Sequence, residues 1–499
     1  MGIISMDQAT IDKFRTQSIT DRSHWIGGKA TPALTGEMRV VTSPIDGKPL
    51  ANIAEGSAGD VDAAAAAARA SFDSGVWSAM PPAARKSIMH RIADIIEKNA
   101  TELAVLGVRD NGCEIVMAGK AESGSAAATF RFYAEMVDKV NGEITPTDPS
   151  VLSLILREPI GVCGVIVPWN FPLMIGAWKL APALAMGNSI VLKPSEVASL
   201  SLIRLVELIH EAGLPEGVLN LVTGGGVGVG DPLARHMDVD MLTFTGSGTV
   251  GRLLLMASAE SNMKPVYLEL GGKSPNVIFD DAENLDKAIA VSATAMFRDA
   301  GQTCVAPSRL LVQEAIYDAV VEKLTAHAAS ITVGNPLDLA SDCGAVATPA
   351  QLAQNLRFVD QAKAGGARLT TGGNQILADT GGTYMAPTVF ADVTPDMALA
   401  REEVFGPVLG VIRFRDEADA VRIANESIYG LSAAVWTSNL GRAHRMINQI
   451  DAGIVHVNTY GGADVTVPLS GHKQSGHGAD KSVHAIDKYT KLKTGWIQT

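Results

Sequence analysis

From residue 160 to about 260 the chain alternates short apolar runs with amphipathic stretches. GVCGVIV (161–167), SIVLK (189–193), VLNLV (218–222) and MLTFT (241–245) are apolar at consecutive positions, which predicts strands buried on both faces. Helical periodicity covers 173–186 and 199–212, a short helix precedes MLTFT, and another helix follows it. Strands separated by helices need crossover connections, so the pattern predicts a parallel sheet covered on both sides. A second series begins after Gly272: strand NVIF, a long helix over 285–297, strand RLLV, a helix over 316–330, and strands at 408–414, 433–436 and 454–457. It reads as a domain of its own.

Upstream, one helix starts near Asp60, whose carboxylate and that of Asp62 suit a helix N-terminus, and runs through the alanines at 63–68. Another follows Pro81-Pro82 with Ile88, Ile92, Ile95 and Ile96 on one face. Residues 1 to about 20 read as a poorly tied arm, followed by short strands with turns at Gly27-Gly28 and Asp46-Gly47. The tail KYTKLKTGWI is strand-like but distant from any assigned core, which suggests pairing with another chain.

A chain of 499 residues is too long for one ordinary core and predicts two or three domains. The formal charge of -12 argues against nucleic acid, whose binding requires clustered Lys and Arg. Four unpatterned cysteines point to a reducing compartment without a disulfide framework, and no Cys/His spacing suggests a metal. The region 160–192 is the longest apolar one, but Pro168, Asn170, Pro172, Lys179 and Pro182 interrupt it, so no membrane span is expected. MGIISMDQATIDKF turns polar too soon for a secretory signal, and Met6 stands where a myristoylation motif needs Ser or Thr. The expected location is the cytoplasm.

Ligands of parallel sheets bind beyond the carboxyl ends of the strands. The segments there are PWNFP (168–172), with Trp169 and Asn170; KPSE (193–196), with Lys193 and Glu196; the glycine run 224–230, with Gly226 and Gly230; and TGSGTVG (245–251), with Gly246 and Ser247. Two further residues suggest covalent chemistry. Cys304 in GQTCVAPSR follows a small, polar stretch after the 285–297 helix, an accessible setting that Cys113, Cys163 and Cys343 lack. A thiolate attacks carbonyls near neutral pH and leaves a thioester that water can cleave. Glu269 in LELGGKSPN is the carboxylate suited to activating that water. Gly246-x-Gly248-x-x-Gly251 also satisfies a dinucleotide fingerprint, which taken literally would make Glu269 a ribose ligand instead.

PWNFP, KPSE, FTGS, LELGGKSPN, GQTC, EEVFGPV and a C-terminal KQSG, in this order, resemble the NAD(P)-dependent aldehyde dehydrogenase superfamily over nearly the whole chain. The resemblance implies an α/β fold: a Rossmann-like cofactor domain (1–137 and 159–270), an α/β catalytic domain (271–476), and a small bridging β-sheet from the oligomerisation segments 138–158 and 477–499. It implies Cys304 as nucleophile, Glu269 as base for the deacylating water, and Asn170 with the Cys304 amide as oxyanion hole. It further implies Lys193 and Glu196 on the adenosine ribose, Ser247 on the pyrophosphate, Glu403 on the nicotinamide ribose, and Phe405 beside that ring. Gly246, Gly271 and Gly272 would let backbone approach closely. A carboxylate at Glu196 favours NAD, while Lys193 keeps NADP open. A homodimer or homotetramer is implied as well.

Phe171, Met174 and Trp178 are the expected apolar pocket walls, Asp464 an acid near the entrance, and the π face of Trp178 a site for a cationic substrate. Ala463 and Pro468-Leu469-Ser470-Gly471 depart from the family pattern, as do Ala479 and Arg298-Asp299-Ala300. DVTVP and the tail GADKSVHAIDKYTKLKTGWI are most similar to the aminoaldehyde branch, which includes γ-glutamyl-γ-aminobutyraldehyde dehydrogenases. The expected activity is oxidation of an ω-amino or γ-glutamylamino aldehyde to its acid. The alternatives are an enzyme that passes the acyl group to coenzyme A, which Glu269 argues against, and a catalytically silent nucleotide-binding scaffold.

Overall fold

In the computed structural model, which describes residues 6–461 and 464–499, the apolar runs become parallel strands. They stand across the sheet in the order Leu219–Leu221, Ser189–Lys193, Val162–Ile166, Met241–Thr245, Val266–Glu269. The direction of winding thus reverses between Val162–Ile166 and Met241–Thr245, where Cys163 pairs with Met241. Antiparallel strands close both edges and bring the sheet to eight: His24–Ile26 and Lys29–Thr31 on one side, Gly476–His477 on the other.

Side chains alternate between two cores. Cys163 and Val165 face the helices Pro82–Lys98, Ser125–Met136, Pro172–Ala185 and Leu200–Glu211, while Val162 and Ile166 face Ala58–Ser74 and Gly248–Ala259. Ala58–Ser74 begins with a capping box, in which Asp60 accepts from the Ser57 amide at 2.9 Å, and ends on left-handed Gly75. Of the isoleucines on Pro82–Lys98, Ile88, Ile92 and Ile96 are buried and Ile95 is half-buried.

The second series forms a seven-stranded sheet in the order Arg368–Thr371, Thr388–Ala391, Val408–Phe414, Arg309–Gln313, Pro275–Ile278, Ser432–Trp436, Ile454–Val457. All but Arg368–Thr371 are parallel. A third, three-stranded sheet joins Glu143–Thr145, Val151–Pro159 and Thr490–Gln498.

The tail finds a partner within its own chain, Trp496 lying opposite Ser153 across an antiparallel ladder, and stands at the edge of that sheet. One expectation is corrected. The N-terminal arm contains the helix Gln8–Arg15, capped by Asp7 and seated by fully buried Ile11 among Ala104, Val105, Val108 and Ile115. Its partners are some ninety residues downstream, so nothing local announces the docking. Ala463 lies outside the described residues. Among the described residues no helix is long and apolar enough to cross a membrane, and no group of three His, Cys, Asp or Glu residues is placed to hold a metal ion.

Replacing Ile11 with alanine should cost about 2–4 kcal/mol at this contact and release the helix. Faster tryptic cleavage after Arg15, at unchanged cleavage elsewhere, is the expected reading; an unchanged digestion pattern would contradict the docking.

Candidate active site

Where the winding of the first sheet reverses, the loops after the two diverging strands leave a groove of about 410 Å³. Pro168, Trp169 and Asn170 line one wall and Thr245 to Thr249 another, with Cys304, Gln351, Glu403 and Phe405 arriving from the second sheet. The N-terminus of the twelve-residue helix Gly248–Ala259 opens into it, and Ser247 caps that helix by accepting from the Val250 amide at 3.3 Å. Free amides and the helix dipole make this a phosphate-binding end. Trp169 and Phe405 meet edge to face, centroids 5.3 Å apart. Phe405 is held at φ +56°, a conformation its bulk disfavours, while Gln351 donates to the carbonyls of Val404 (2.9 Å) and Phe405 (3.1 Å). A phosphate end, aromatic walls and a carboxylate at Glu403 fit a dinucleotide lying along the groove.

The loop carrying Cys304 is tied down by hydrogen bonds on both sides. Asp299, Ala300 and Gly301 are successive left-handed residues, and the Asp299 amide donates to Glu114 at 3.0 Å. The side chain of Gln302 donates to the Asp299 carbonyl (3.0 Å) and accepts from the Ala347 amide (2.8 Å). Cys304 turns partly exposed into the groove, the only described cysteine that is not buried. Burial pushes its thiol well above the ordinary range, the carboxyls of Glu403 and Glu269 add to this, and the amides of Cys304 and Val305 oppose it. Asn170 shares the groove; its Nδ2 donates to the Gln302 carbonyl at 2.8 Å, which fixes the amide and leaves its second N–H uncommitted to that bond.

Glu269 ends its strand outside the groove wall, buried, with neither carboxyl oxygen hydrogen-bonded among the described residues. Its acidity is weakened first by burial and then by the charge of Asp480, against the pull of Lys179 and Lys488. Asp480 is itself buried, yet the two ammonium groups hold it ionised; Lys179 Nζ is 2.8 Å from it, and Lys488 contacts its other oxygen. This cluster was missed in the sequence because Lys179 and Asp480 are 301 residues apart. Glu403 accepts from the Gly272 amide at 2.9 Å, and burial raises it to about 7.

Glycines let these parts touch. A Cβ on Gly271 would lie 2.1 Å from Glu403 Oε2, one on Gly272 2.3 Å from the Cys304 carbonyl oxygen, and one on Gly246 2.4 Å from the Phe244 ring. Ser475 of the KQSG segment donates to the Gly271 carbonyl (2.7 Å) and accepts from the Gly430 amide (3.0 Å), tying the chain after Val266–Glu269 to the short strand Tyr429–Gly430 that leads into Ser432–Trp436. Its neighbour Gln474 lines the groove and accepts from Arg252 at 2.7 Å. The motif flagged these residues without revealing what they do.

Other sequence-selected residues lie apart from the groove wall. Lys193 is buried at the end of its strand, donating to Pro194 O at 3.0 Å with Glu196 at 3.4 Å, beside Gly230. Gly226 and Gly230 bound a single π-helical turn that continues into Asp231–Arg235. An Arg39–Glu55 pair stands close enough to Glu196 for its charge to be felt there. Phe171 is in the hydrophobic core, and Met174 packs half-buried against it. The π face of Trp178, assigned above to a cationic substrate, instead has the chain's own Lys481 ammonium 5.4 Å from its centroid. Asp464 is exposed and caps its own turn by accepting from Thr466 at 2.9 Å.

A model of the aldehyde dehydrogenase family matches residues 32–495. The chain is 46% identical over 486 residues to the NADP/NAD-dependent aldehyde dehydrogenase PuuC of Escherichia coli (strain K12), covering 97% of each. A crystal structure of a gamma-glutamyl-gamma-aminobutyraldehyde dehydrogenase from Burkholderia cenocepacia J2315 superposes with a TM-score of 0.96 at 46% identity, over 99% of this chain and 100% of that one. An indole-3-acetaldehyde dehydrogenase solved with NAD+ gives 0.97 at 45% identity, with the same coverage.

Because the atom facing Gly272 is backbone, Gly272→Ala must displace the nucleophile loop. Misplacement on the order of 1 Å should cost about a hundred-fold in any turnover through Cys304, with a lowered thermal midpoint. Full activity in the alanine variant would show that the close approach is dispensable.

Proposed function

The chain belongs to the aldehyde dehydrogenase family, and on that premise we propose how its residues carry out the NAD-dependent oxidation of an aldehyde to the carboxylic acid. The observation that carries the reading is the meeting, in one groove, of the Cys304 thiol and the Asn170 amide with a helix N-terminus at the winding reversal of a parallel sheet.

Cys304 Sγ bonds to the carbonyl carbon once its proton is lost. The carbonyl oxygen becomes an alkoxide, which the uncommitted Asn170 N–H and the Cys304 amide stabilise by roughly 3–4 kcal/mol. Bound NAD supplies an oxidised pyridine ring able to accept a hydride. Glu269 then takes a proton from the water that cleaves the Cys304 thioester, and a carboxyl near enough for its charge to act on that thiol favours water over coenzyme A as acyl acceptor. Retention of all three groups speaks against a silent scaffold.

In the groove, the helix N-terminus with Ser247 would hold the pyrophosphate, Glu403 the nicotinamide ribose, and Trp169 and Phe405 its flank. Lys193 and Glu196 would hold the adenosine ribose. Glu196 disfavours a 2′-phosphate, whereas Lys193 and nearby Arg39 attract one, so NAD is preferred and NADP used. The gamma-glutamyl-gamma-aminobutyraldehyde activity named for a close structural relative supports an ω-amino or γ-glutamylamino aldehyde substrate. The third sheet leaves Ile144, Leu492 and Trp496 at least 63% exposed, and Leu253 and Met256 protrude from Gly248–Ala259, surfaces suited to a homodimer or homotetramer. Four unpaired cysteines fit the cytoplasm.

With an aldehyde and NAD the protein should generate NADH absorbance, which Cys304→Ala abolishes; persistence in that variant refutes the mechanism. Cys304 and Glu269 must both lose protons they hold more tightly than in water, so turnover should climb as the pH is raised, and Glu269→Gln should lower kcat by slowing deacylation. Glu196→Gln should raise the NADP-to-NAD ratio of kcat/KM by about ten-fold, a change on the scale of one relieved charge contact. Trp496→Glu should lower the mass seen by light scattering.

A further inference from the structure

Away from the nucleotide groove stand two cations without a matched carboxylate partner among the described residues, buried Lys481 and half-buried Arg298. Lys481 is only 4% exposed, and its single hydrogen bond among the described residues is a long one, 3.3 Å, to the Asp464 carbonyl. It sits in a left-handed backbone conformation, φ +64°. Arg298 makes no ion pair or side-chain hydrogen bond among the described residues, and its Nε is buried without a partner. Its guanidinium lies against Gly461, where a Cβ would come within 3.4 Å of it. The indole N–H of Trp178, whose ring Lys481 covers, is likewise buried and unpartnered.

These donors lie along one stretch of chain. Arg298 rests against Gly461 and Lys481 donates to the carbonyl of Asp464, while Tyr460, just before them, donates to the Val305 carbonyl at 2.6 Å, next to the nucleophile. The facing carboxyls leave the charge largely uncancelled. Asp464 is exposed and engaged with Thr466; Asp480 is committed to Lys179 and Lys488; burial pushes Glu114 to about 7 and Asp299 well above its usual range. Buried donors left unpaired cost stability unless a ligand completes them.

We infer that Lys481, Arg298 and the Trp178 indole N–H form an anion subsite on the substrate side of Cys304, taking a carboxylate at the end of the aldehyde remote from its carbonyl. The inference rests on the aldehyde-oxidising reading above and narrows it. Aldehydes bearing an amino-acid or simple carboxylate, γ-glutamylamino aldehydes among them, are the matched class; purely cationic ω-amino aldehydes are not. Lys481 and Arg298 are positioning residues that select substrate and take no part in bond making.

The test compares 5-oxopentanoate, pentanal and 4-aminobutanal as substrates of the intact enzyme with NAD. The kcat/KM for 5-oxopentanoate should exceed that for pentanal by more than about ten-fold, and 4-aminobutanal should be the poorest. Lys481→Met and Arg298→Leu should each draw the 5-oxopentanoate-to-pentanal ratio toward one through KM, while Lys481→Arg retains most of it. Glutarate, which cannot react, should compete with pentanal in the unaltered enzyme, a reading independent of whether the variants fold. A ratio near one in the unaltered enzyme, preference for 4-aminobutanal, or absence of glutarate competition would overturn the subsite. Failure to oxidise even pentanal would instead overturn the aldehyde-oxidising reading itself.

Discussion

The site depends on two backbones being allowed to touch. At Gly271 and Gly272 the chain leaves the first large sheet and passes between the Cys304 loop and Glu403, with no room for a methyl group at either position. The same crossing is anchored by Ser475, which bonds one strand of chain to Gly271 and another to Gly430. Close-packed interiors transmit small displacements rather than absorbing them, so nucleophile, cofactor groove and carboxyl groups share one registration point. This is why the segment LELGGK is so informative for its length.

Around that point the dielectric environment does much of the chemical tuning. Cys304, Glu269 and Glu403 all carry their protons further up the pH scale than they would in water, first through desolvation, and the two carboxyls raise Cys304 further. Opposed to them is Asp480, kept ionised between two lysines. The contrast separates a carboxyl able to exchange its proton near neutral pH from one that is a fixed charge. Together they set the potential in which a thiol must become a thiolate.

Much of this could be read from residue order. The consecutive apolar runs marked the strands, the loops following them supplied Trp169, Asn170 and Ser247, and family motifs in loops after helices supplied Cys304, Glu403 and Phe405; the structure brings all six to one groove or its rim. Side-chain direction was less legible. Phe171 turns into the core one residue after Asn170 turns into the groove, because the backbone at Phe171 is still non-helical, φ −131° and ψ 66°, just ahead of the helix that starts at Pro172. Long-range pairings were not legible at all: Ile11 with Val108, Lys179 with Asp480, and Lys481 with Trp178 have no local signature. Composition also misled at Trp178, whose ring suggested a cation from outside when the protein supplies its own.

The last thirty residues visit every layer of the molecule: Gly476–His477 edges the first sheet, Asp480 enters the ion cluster behind Glu269, and Thr490–Gln498 completes the third sheet. Without this stretch, Val266–Glu269 and Val151–Pro159 would each present a bare strand edge, the kind of surface on which chains aggregate. Lys179 would at the same time be left buried with no carboxylate beside it. Proteolytic loss of these few residues would therefore open two sheets and orphan a buried ammonium in a single cut.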